Sequence, residues 1–243
     1  MFQGIKKYAK KSVPSRYRYK IVATVRNFFG GFGHTFYSQN GEDVILASLF
    51  RKKRYGFYVD VGAHHPERYS NTYLLYKKGW RGINIDPDPD AIRLFQRKRK
   101  RDSNVCVGIS RERGEKPFYI FSDPAVNTFS PQFAELWQKE KWIELREKVL
   151  VKTTPLREIL EHALPKDTYI DFLNVDAEGL DREVLESNDW ARFRPEVIAI
   201  EDHGFKADAP HDSAVYRFLR EKGYTLHAVM KFSLIFVSAE ARA

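Results

Sequence analysis

The chain has 243 residues, 43% of them hydrophobic, 14% aromatic and 30% charged, with a formal net charge of +9. This composition excludes disordered, collagen-like and multi-span membrane classes, and the length fits one domain, or one domain with an arm. A single cysteine, Cys106, excludes an intramolecular disulfide and four-cysteine zinc modules, and points to a reducing compartment.

Residues 1–33 read as a basic amphipathic arm. Lys6, Lys7, Lys10, Lys11, Arg16, Arg18, Lys20 and Arg26 occur there without any acid, which leaves about +1 for the rest of the chain. Phe2, Ile5, Tyr8, Ile21, Val22, Val25, Phe28 and Phe29 interleave with these charges, the pattern of a segment lying on an anionic membrane surface. The alternative is a solvated tail. The longest apolar stretch, Ile21 to Phe32, is broken by Arg26 and falls short of the roughly 20 residues of a spanning helix. It also lacks the small-residue cleavage site of a signal peptide. The expected location is the cytoplasm, peripheral to the inner face of the membrane. A near-neutral body with no zinc finger and no aromatic ribonucleoprotein stretch argues against nucleic acid as a partner.

Residues 34–243 read as an α/β domain. Short β-branched and aromatic runs at Phe57–Val61, Gly82–Asp86, Asn104–Ile109, Ile170–Asp176 and Val197–Asp202 predict parallel strands. Amphipathic stretches predict helices at Asn71–Lys78, Pro89–Lys100, Pro155–His162, Leu180–Ser187 and Ser213–Lys222, with Pro89 and Pro155 in first-turn positions. Residues 114–151 read as an insertion or lid, with a hairpin strand at Pro117–Phe121 and a tryptophan-rich amphipathic segment from Phe133 to Glu147. Thr225–Val229 and Phe232–Val237 predict an antiparallel edge pair. The basic run Arg97 to Arg101 is expected to complement the carboxyl-terminal dipole of its helix.

Several predicted strands end in a carboxylate: Asp60, Asp86, Asp176, and Glu201 with Asp202. In open α/β sheets ligands sit beyond the carboxyl ends of the strands, so these acids are expected to converge on one site. The first turn, Tyr58 to Pro66, carries only Gly62, whereas a pyrophosphate fingerprint needs three glycines for close backbone approach. Asp60 would repel a pyrophosphate but could accept hydrogen bonds from an amino group or from amides. Asp86 lies 26 residues further on, where an acid can accept both hydroxyls of an adenosine ribose. A ribose and an ammonium without a phosphate describe S-adenosylmethionine. The turn residues Asp60, Gly62 and Ala63 are accordingly expected to border that cofactor.

The segments Ser38–Leu46, Phe57–Pro66, Ser70–Thr72, Gly79–Pro87 and Asn174–Gly179, in this order, resemble the FkbM-type S-adenosylmethionine-dependent methyltransferases. The resemblance implies the class I methyltransferase fold, a mostly parallel seven-stranded Rossmann-like sheet with helices on both faces and an antiparallel edge hairpin. It implies O-methylation of a sugar or a natural-product hydroxyl, with Gln39 and Asp43 bordering the cofactor and Asp86 holding the ribose. The wider class has glycine where this chain has Pro66. That removes a backbone donor, so Ser38, Gln39, Ser70 or Asn71 is expected to help hold the methionine end.

A sugar hydroxyl is a poor nucleophile until it is deprotonated, and the sequence offers two devices. One is a histidine base, His64 or His65 in the first turn or His203 after the fifth strand. The other is Mg²⁺ or Mn²⁺ held by Asp176, Glu178 and Glu201, with Asp176 itself beside the reacting hydroxyl. The carboxylate cluster is preferred, because its members come from adjacent strand ends. The leading expectation is an O-methyltransferase for a glycan, glycolipid or small-molecule hydroxyl; the alternative is a non-catalytic scaffold that binds an assembly partner or a membrane surface. The oligomeric state cannot be read from the sequence.

Overall fold

The computed structural model describes residues 35–240, together with Pro14, Tyr17, Ile21 and Thr24. Apart from those four positions, the expected basic arm lies outside the described residues. Contacts divide the chain between Phe36 and Tyr37, and the α/β domain begins at Tyr37.

In chain order the first half contains α1 (Glu42–Leu49), β1 (Phe57–Val61), α2 (Tyr73–Lys77), β2 (Arg81–Asp86), α3 (Pro89–Lys98), β3 (Ser103–Cys106), β4 (Gly108–Ile109) and β5 (Gly114–Phe121). There follow α4 (Pro131–Trp137), β6 (Leu145–Thr154), α5 (Leu156–Ala163), β7 (Phe172–Val175), α6 (Asp181–Glu186), β8 (Val197–Glu201), α7 (Ala214–Glu221), β9 (Tyr224–Met230) and β10 (Ser233–Ser238). Seven strands form one sheet in the order β3-β2-β1-β7-β8-β10-β9. The first five are mutually parallel, and β10 runs antiparallel to both β8 and β9. This is the expected class I methyltransferase fold.

The strand sequences explain why the sheet is covered on both sides. Along β1, Val59 and Val61 join a core with Leu156 and Leu160 of α5, Val184 and Leu185 of α6 and Leu219 of α7. Tyr58, of opposite parity, packs with Leu46 of α1, Leu75 of α2 and Trp80. Both parities are apolar, as a parallel sheet sandwiched between helices requires. Each fully buried leucine of these clusters contributes about 1.5–3 kcal/mol. The order of strands reverses at β1: the chain moves outward through β2 and β3, then returns to β7 on the other side. The crevice at the carboxyl ends of β1 and β7 is therefore the topological switch point where such sheets bind ligands.

Three expectations need correction. The strand foreseen at Asn104–Ile109 is two strands, because the chain leaves the main sheet after Cys106, whose partner is Asp86, and Gly108–Ile109 pairs instead with Thr153–Thr154 of β6. Gly108 permits that departure, since a Cβ there would sit 2.8 Å from the Phe129 ring. The amphipathic segment foreseen from Phe133 to Glu147 is a helix only as far as Trp137. The chain then turns and enters β6, which pairs antiparallel with β5 along its length. Burial along residues 148–152 alternates with period two, as a strand paired on β5 requires, although the sequence there runs three apolar residues together. Pro117 is accommodated because β5 is an edge of this three-stranded sheet, ordered β4-β6-β5. The basic run does end α3 as expected, with Arg97 and Lys98 in its last turn, and Arg99, its C-cap, is fully buried. Pro155 is the N-cap of α5, one position ahead of the first turn.

Candidate active site

A cavity of about 390 Å³ opens at the carboxyl ends of the central strands, within the size range of ligand pockets. Gln39, Asp60, Gly62, Ala63, Asn71, Asp86, Asp176, Glu178, Glu201 and His203 all line it. Gly62 sets the local geometry. Its φ is +76°, and a Cβ would fall 1.7 Å from the carbonyl oxygen of Asp176, so the turn after β1 lies directly against the end of β7. His64, Tyr69, Glu178 and Lys231 also adopt left-handed φ values between 46° and 56°, and all four line the cavity. Non-glycine residues pay about 1–3 kcal/mol for that conformation, and such strain gathers at functional sites.

Asp60 is a buried strut of the cavity wall. Its Oδ1 accepts from Asn174 Nδ2 at 2.9 Å and its Oδ2 from Thr72 Oγ1 at 2.7 Å. Asn71 Nδ2 in turn donates to Asn174 Oδ1 at 2.8 Å, which fixes Asn71 at the cavity. Burial pushes the Asp60 carboxyl up, while the Thr72 and Asn174 bonds favour its charged form. Arg99 anchors the same loop from behind. Its Nε donates to the carbonyl of Pro66 at 2.8 Å, its Nη2 to Ser70 Oγ at 3.0 Å and its Nη1 to Tyr58 Oη at 2.9 Å. The proline that replaces glycine in the first motif thus serves as an acceptor for a buried guanidinium.

Asp86 closes β2. Its Oδ2 accepts the His64 amide and its Oδ1 the Asp88 amide, both at 2.8 Å, which leaves each oxygen a free acceptor direction. Burial, with help from Asp88 and Asp60, raises its pKa to about 7. The cap of α3 is Asp88, whose side chain accepts from the Asp90 amide. Asp86 is therefore available to a ligand. Ile85, Ala91, Val107 and Ile109 supply an apolar wall beside it. The residues fit S-adenosylmethionine: Asp86 would hold the ribose, the apolar wall the adenine, and Gln39, Ser70 and Asn71 the methionine end.

The end of β7 and the end of β8 bring Asp176, Glu178 and Glu201 together, with one carboxylate oxygen of each within 4.8 Å of the others. Asp176 Oδ1 is buried and has no hydrogen-bond partner among the described residues. Neither Asp176 nor Glu178 caps α6, whose N-cap position is Leu180; Asp181, its first residue, reaches back to accept from the amides of Ala177 and Gly179 in the preceding turn. Burial and the Glu201 charge push Asp176 well above the usual carboxylate range and Glu178 up to about 8. Three oxygen donors crowded against their mutual repulsion form a site that a hard divalent cation fits.

The histidines are not equivalent. His65 lies outside the cavity lining: its Nδ1 accepts from the amides of Glu67 and Arg68, so it caps a turn and is not a base for the acceptor. His64 faces the cavity with an Nε2 that has no hydrogen-bond partner among the described residues, but burial and then Arg68 lower its pKa to about 4, too weak for a base at neutral pH. His203 lies 3.2 Å from Glu201 and between the rings of Phe133 and Phe232. The Glu201 hydrogen bond raises its pKa.

Ser38 and Asp43 also fall outside the lining. Ser38 Oγ donates to Asp43 Oδ1 and accepts from the amides of Gly41 and Asp43, while Asp43 Oδ2 accepts from the Tyr37 amide. The pair organises the start of α1. The acid that reaches the cavity is its neighbour Glu42, buried and bonded to Ser233 and Asn40. Acids in a first helical turn are common dipole partners, so only the adjacency in Gly41-Glu-Asp43 could have pointed to it.

The methyltransferase FkbM domain matches residues 60–226, which include the carboxyl end of β1, all of β7 and the acidic trio. The chain belongs to the FkbM methyltransferase family. It is an S-adenosylmethionine-dependent methyltransferase with the cavity at the switch point as its candidate active site. No curated protein matches it in sequence. Among solved structures it is similar to a methyltransferase from Geobacter sulfurreducens, with 14% identity, 97% of this chain and 96% of the other covered, and a TM-score of 0.42. It is also similar to precorrin-6y C5,15-methyltransferase from Geobacter metallireducens, with 12% identity, 80% and 86% coverage and a TM-score of 0.41. A TehB-like S-adenosylmethionine-dependent methyltransferase from Corynebacterium glutamicum gives 14% identity, 90% and 97% coverage and a TM-score of 0.40. Likenesses this distant say nothing about the acceptor.

Proposed function

We propose that this FkbM methyltransferase methylates a hydroxyl, and that the hydroxyl belongs to a sugar of a glycan or glycolipid. The bound cofactor supplies an electrophilic sulfonium methyl. The protein's own task is to align an acceptor oxygen in line with that carbon and to take its proton. In the transfer an O–C bond would replace the cofactor's C–S bond, and the acidic cluster or water would take the hydroxyl proton. The observation that carries the reading is the trio Asp176, Glu178 and Glu201 at the cavity, with the Asp176 Oδ1 buried and unpartnered among the described residues. These residues would hold Mg²⁺ or Mn²⁺, and a cation there would lower the pKa of a hydroxyl bound beside it. The histidine alternative is weaker, because His65 caps a turn, His64 is too poor a base and His203 is paired with Glu201.

The test uses labelled cofactor and a glycan mixture, with methyl incorporation read by mass spectrometry. Chelation is expected to abolish transfer, Mg²⁺ or Mn²⁺ to restore it, and Asp176→Asn to lose it. Full turnover of Asp176→Asn in the presence of chelator would discard the metal reading, and a loss of about 10²- to 10⁴-fold on replacing His203 would then identify a general base.

The basic arm supports a peripheral membrane site for this reaction, since each lysine or arginine near an anionic surface contributes about 1 kcal/mol. Among the described residues no helix is long and apolar enough to cross a membrane. The full chain is expected to sediment with anionic vesicles in a salt-sensitive manner, and a chain beginning at Phe32 to stay in the supernatant. Equal sedimentation of the two would assign the arm no membrane role.

A further inference from the structure

Two features of the cavity bear on which acceptors can enter. The first is charge. Among the described residues, eight carboxylate side chains line the cavity against a single lysine, Lys231, and no arginine. Lys231 sits in the β9–β10 turn, with its Nζ 4.8 Å from the centroid of the Phe232 ring. Of the eight acids, Asp123 is in reach of a cation outside the lining, Arg68, at 3.6 Å. A divalent cation on Asp176, Glu178 and Glu201 would offset two negative charges and leave the lining negative. Clefts lined by one sign of charge focus the field, and salt screens it poorly below the surface. An anionic acceptor would be repelled here, while a neutral or cationic one would not.

The second feature is the wall supplied by residues 124–142. Trp137 and Trp142 both line the cavity. Trp142 is 64% exposed, a large apolar face left open to solvent. Trp137 Nε1 is buried and has no hydrogen-bond acceptor among the described residues. A buried indole N–H normally finds a partner, and an open indole face at a cavity is a contact surface. One ligand class answers both needs. A sugar ring presents a flat patch of C–H groups on one face and oxygen acceptors around its edge.

We infer that Trp137 and Trp142 form the acceptor subsite, with Trp142 stacking on the ring and Trp137 donating to an oxygen of it, and that the surrounding acids restrict the acceptor to an uncharged or amine-bearing sugar. The inference rests on the sugar reading above and goes beyond it by naming the subsite and by excluding phosphorylated and carboxylated acceptors.

The experiment compares matched pyranosides, a neutral hexoside, its amino-sugar counterpart, its uronate and its 6-phosphate, each incubated with labelled S-adenosylmethionine and the full chain. The neutral and amino sugars are expected to take up label, and the uronate and phosphate to react roughly 10- to 100-fold more slowly. Trp142→Ala, a substitution at an exposed position, should raise KM for the neutral sugar about tenfold while S-adenosylhomocysteine affinity is unchanged. Equal rates on neutral and anionic sugars would overturn the charge selection and leave the sugar reading standing. An unchanged KM in Trp142→Ala would overturn the subsite. Label entering an uncharged non-sugar alcohol and none of the sugars would overturn the sugar reading and the subsite with it.

Discussion

Asp86 illustrates how single side chains are prepared for a ligand. The amides of His64 and Asp88 hold its two oxygens from the backbone side, so the carboxylate cannot rotate away from the cavity. Burial leaves it close to half-protonated near neutrality. Two ribose hydroxyls would donate to the charged form and favour it, so cofactor affinity should weaken as the pH falls below about 7. Asp86→Ala is expected to lose roughly 1.5–3 kcal/mol of S-adenosylhomocysteine binding, the range for hydrogen bonds to a charged group, measured by calorimetry. Unchanged affinity in a folded variant would remove the ribose assignment. At this scale the sequence was informative where residue type and strand position coincided, as for Asp86, Asp176 and Glu201. It was uninformative where two neighbours of one type compete for one orientation. Glu42 and Asp43 are both acids in the first turn of α1, and only the packing against Ser233 decides that Glu42 faces the cavity. His64 and His65 are separated in the same way, by a left-handed residue that turns one ring inward and leaves the other to cap the chain.

At the level of elements, the site depends on how closely the β1 turn approaches β7. Gly62 has no side chain because the Asp176 carbonyl occupies the space a Cβ would need, and its φ is one that L residues rarely adopt. Gly62→Ala must therefore push apart the two strand ends that carry Asp60 and Asp176. Overpacking against backbone costs about 1–3 kcal/mol or more, so the variant should unfold at lower denaturant and bind S-adenosylhomocysteine weakly. Wild-type stability together with wild-type binding would show that the approach is not needed. Four of the five parallel strands, β1, β2, β7 and β8, were legible because each is a short apolar run with a carboxylate at or next to its end, and the last two strands because a tight turn joins them. The insertion was legible only in its first strand, Pro117–Phe121 within β5. Its helix is only seven residues long, and β6 takes its register from β5 on one side and from β4 on the other, neither of which local periodicity encodes. Arg99 was hidden for a related reason. A cation in a run of five reads as surface, and only the tertiary fold brings Pro66, Ser70 and Tyr58 around it.

For the molecule as a whole, the acids of the cavity couple stability to pH. Glu178 holds its proton up to about 8 in the folded chain, Asp86 to about 7 and Asp181 to about 6, and burial with the Glu201 charge raises Asp176 well above its ordinary value. In the unfolded chain these groups release their protons near 4. Between those limits the folded state binds more protons than the unfolded state, so stability declines as pH rises. His203, raised by Glu201, contributes with the same sign, its stabilisation being lost as pH passes its folded value. A divalent cation binds the deprotonated trio and competes with those protons, so its stabilising effect should grow with pH. The net charge of +9 works against a simple reading, because self-repulsion relaxes as the pH approaches the isoelectric point of about 9.4. The comparison is therefore made within one background. Thermal unfolding of the wild type and of Asp176→Asn is followed at about pH 6 and pH 8, with and without Mn²⁺. The wild type is expected to gain more from Mn²⁺ at pH 8 than at pH 6, and the variant to gain little at either, since amide oxygens replace a charge that the cation requires. An Mn²⁺ shift of equal size at both pH values, or one retained in Asp176→Asn, would place the cation elsewhere and leave the carboxylates to act as proton acceptors alone.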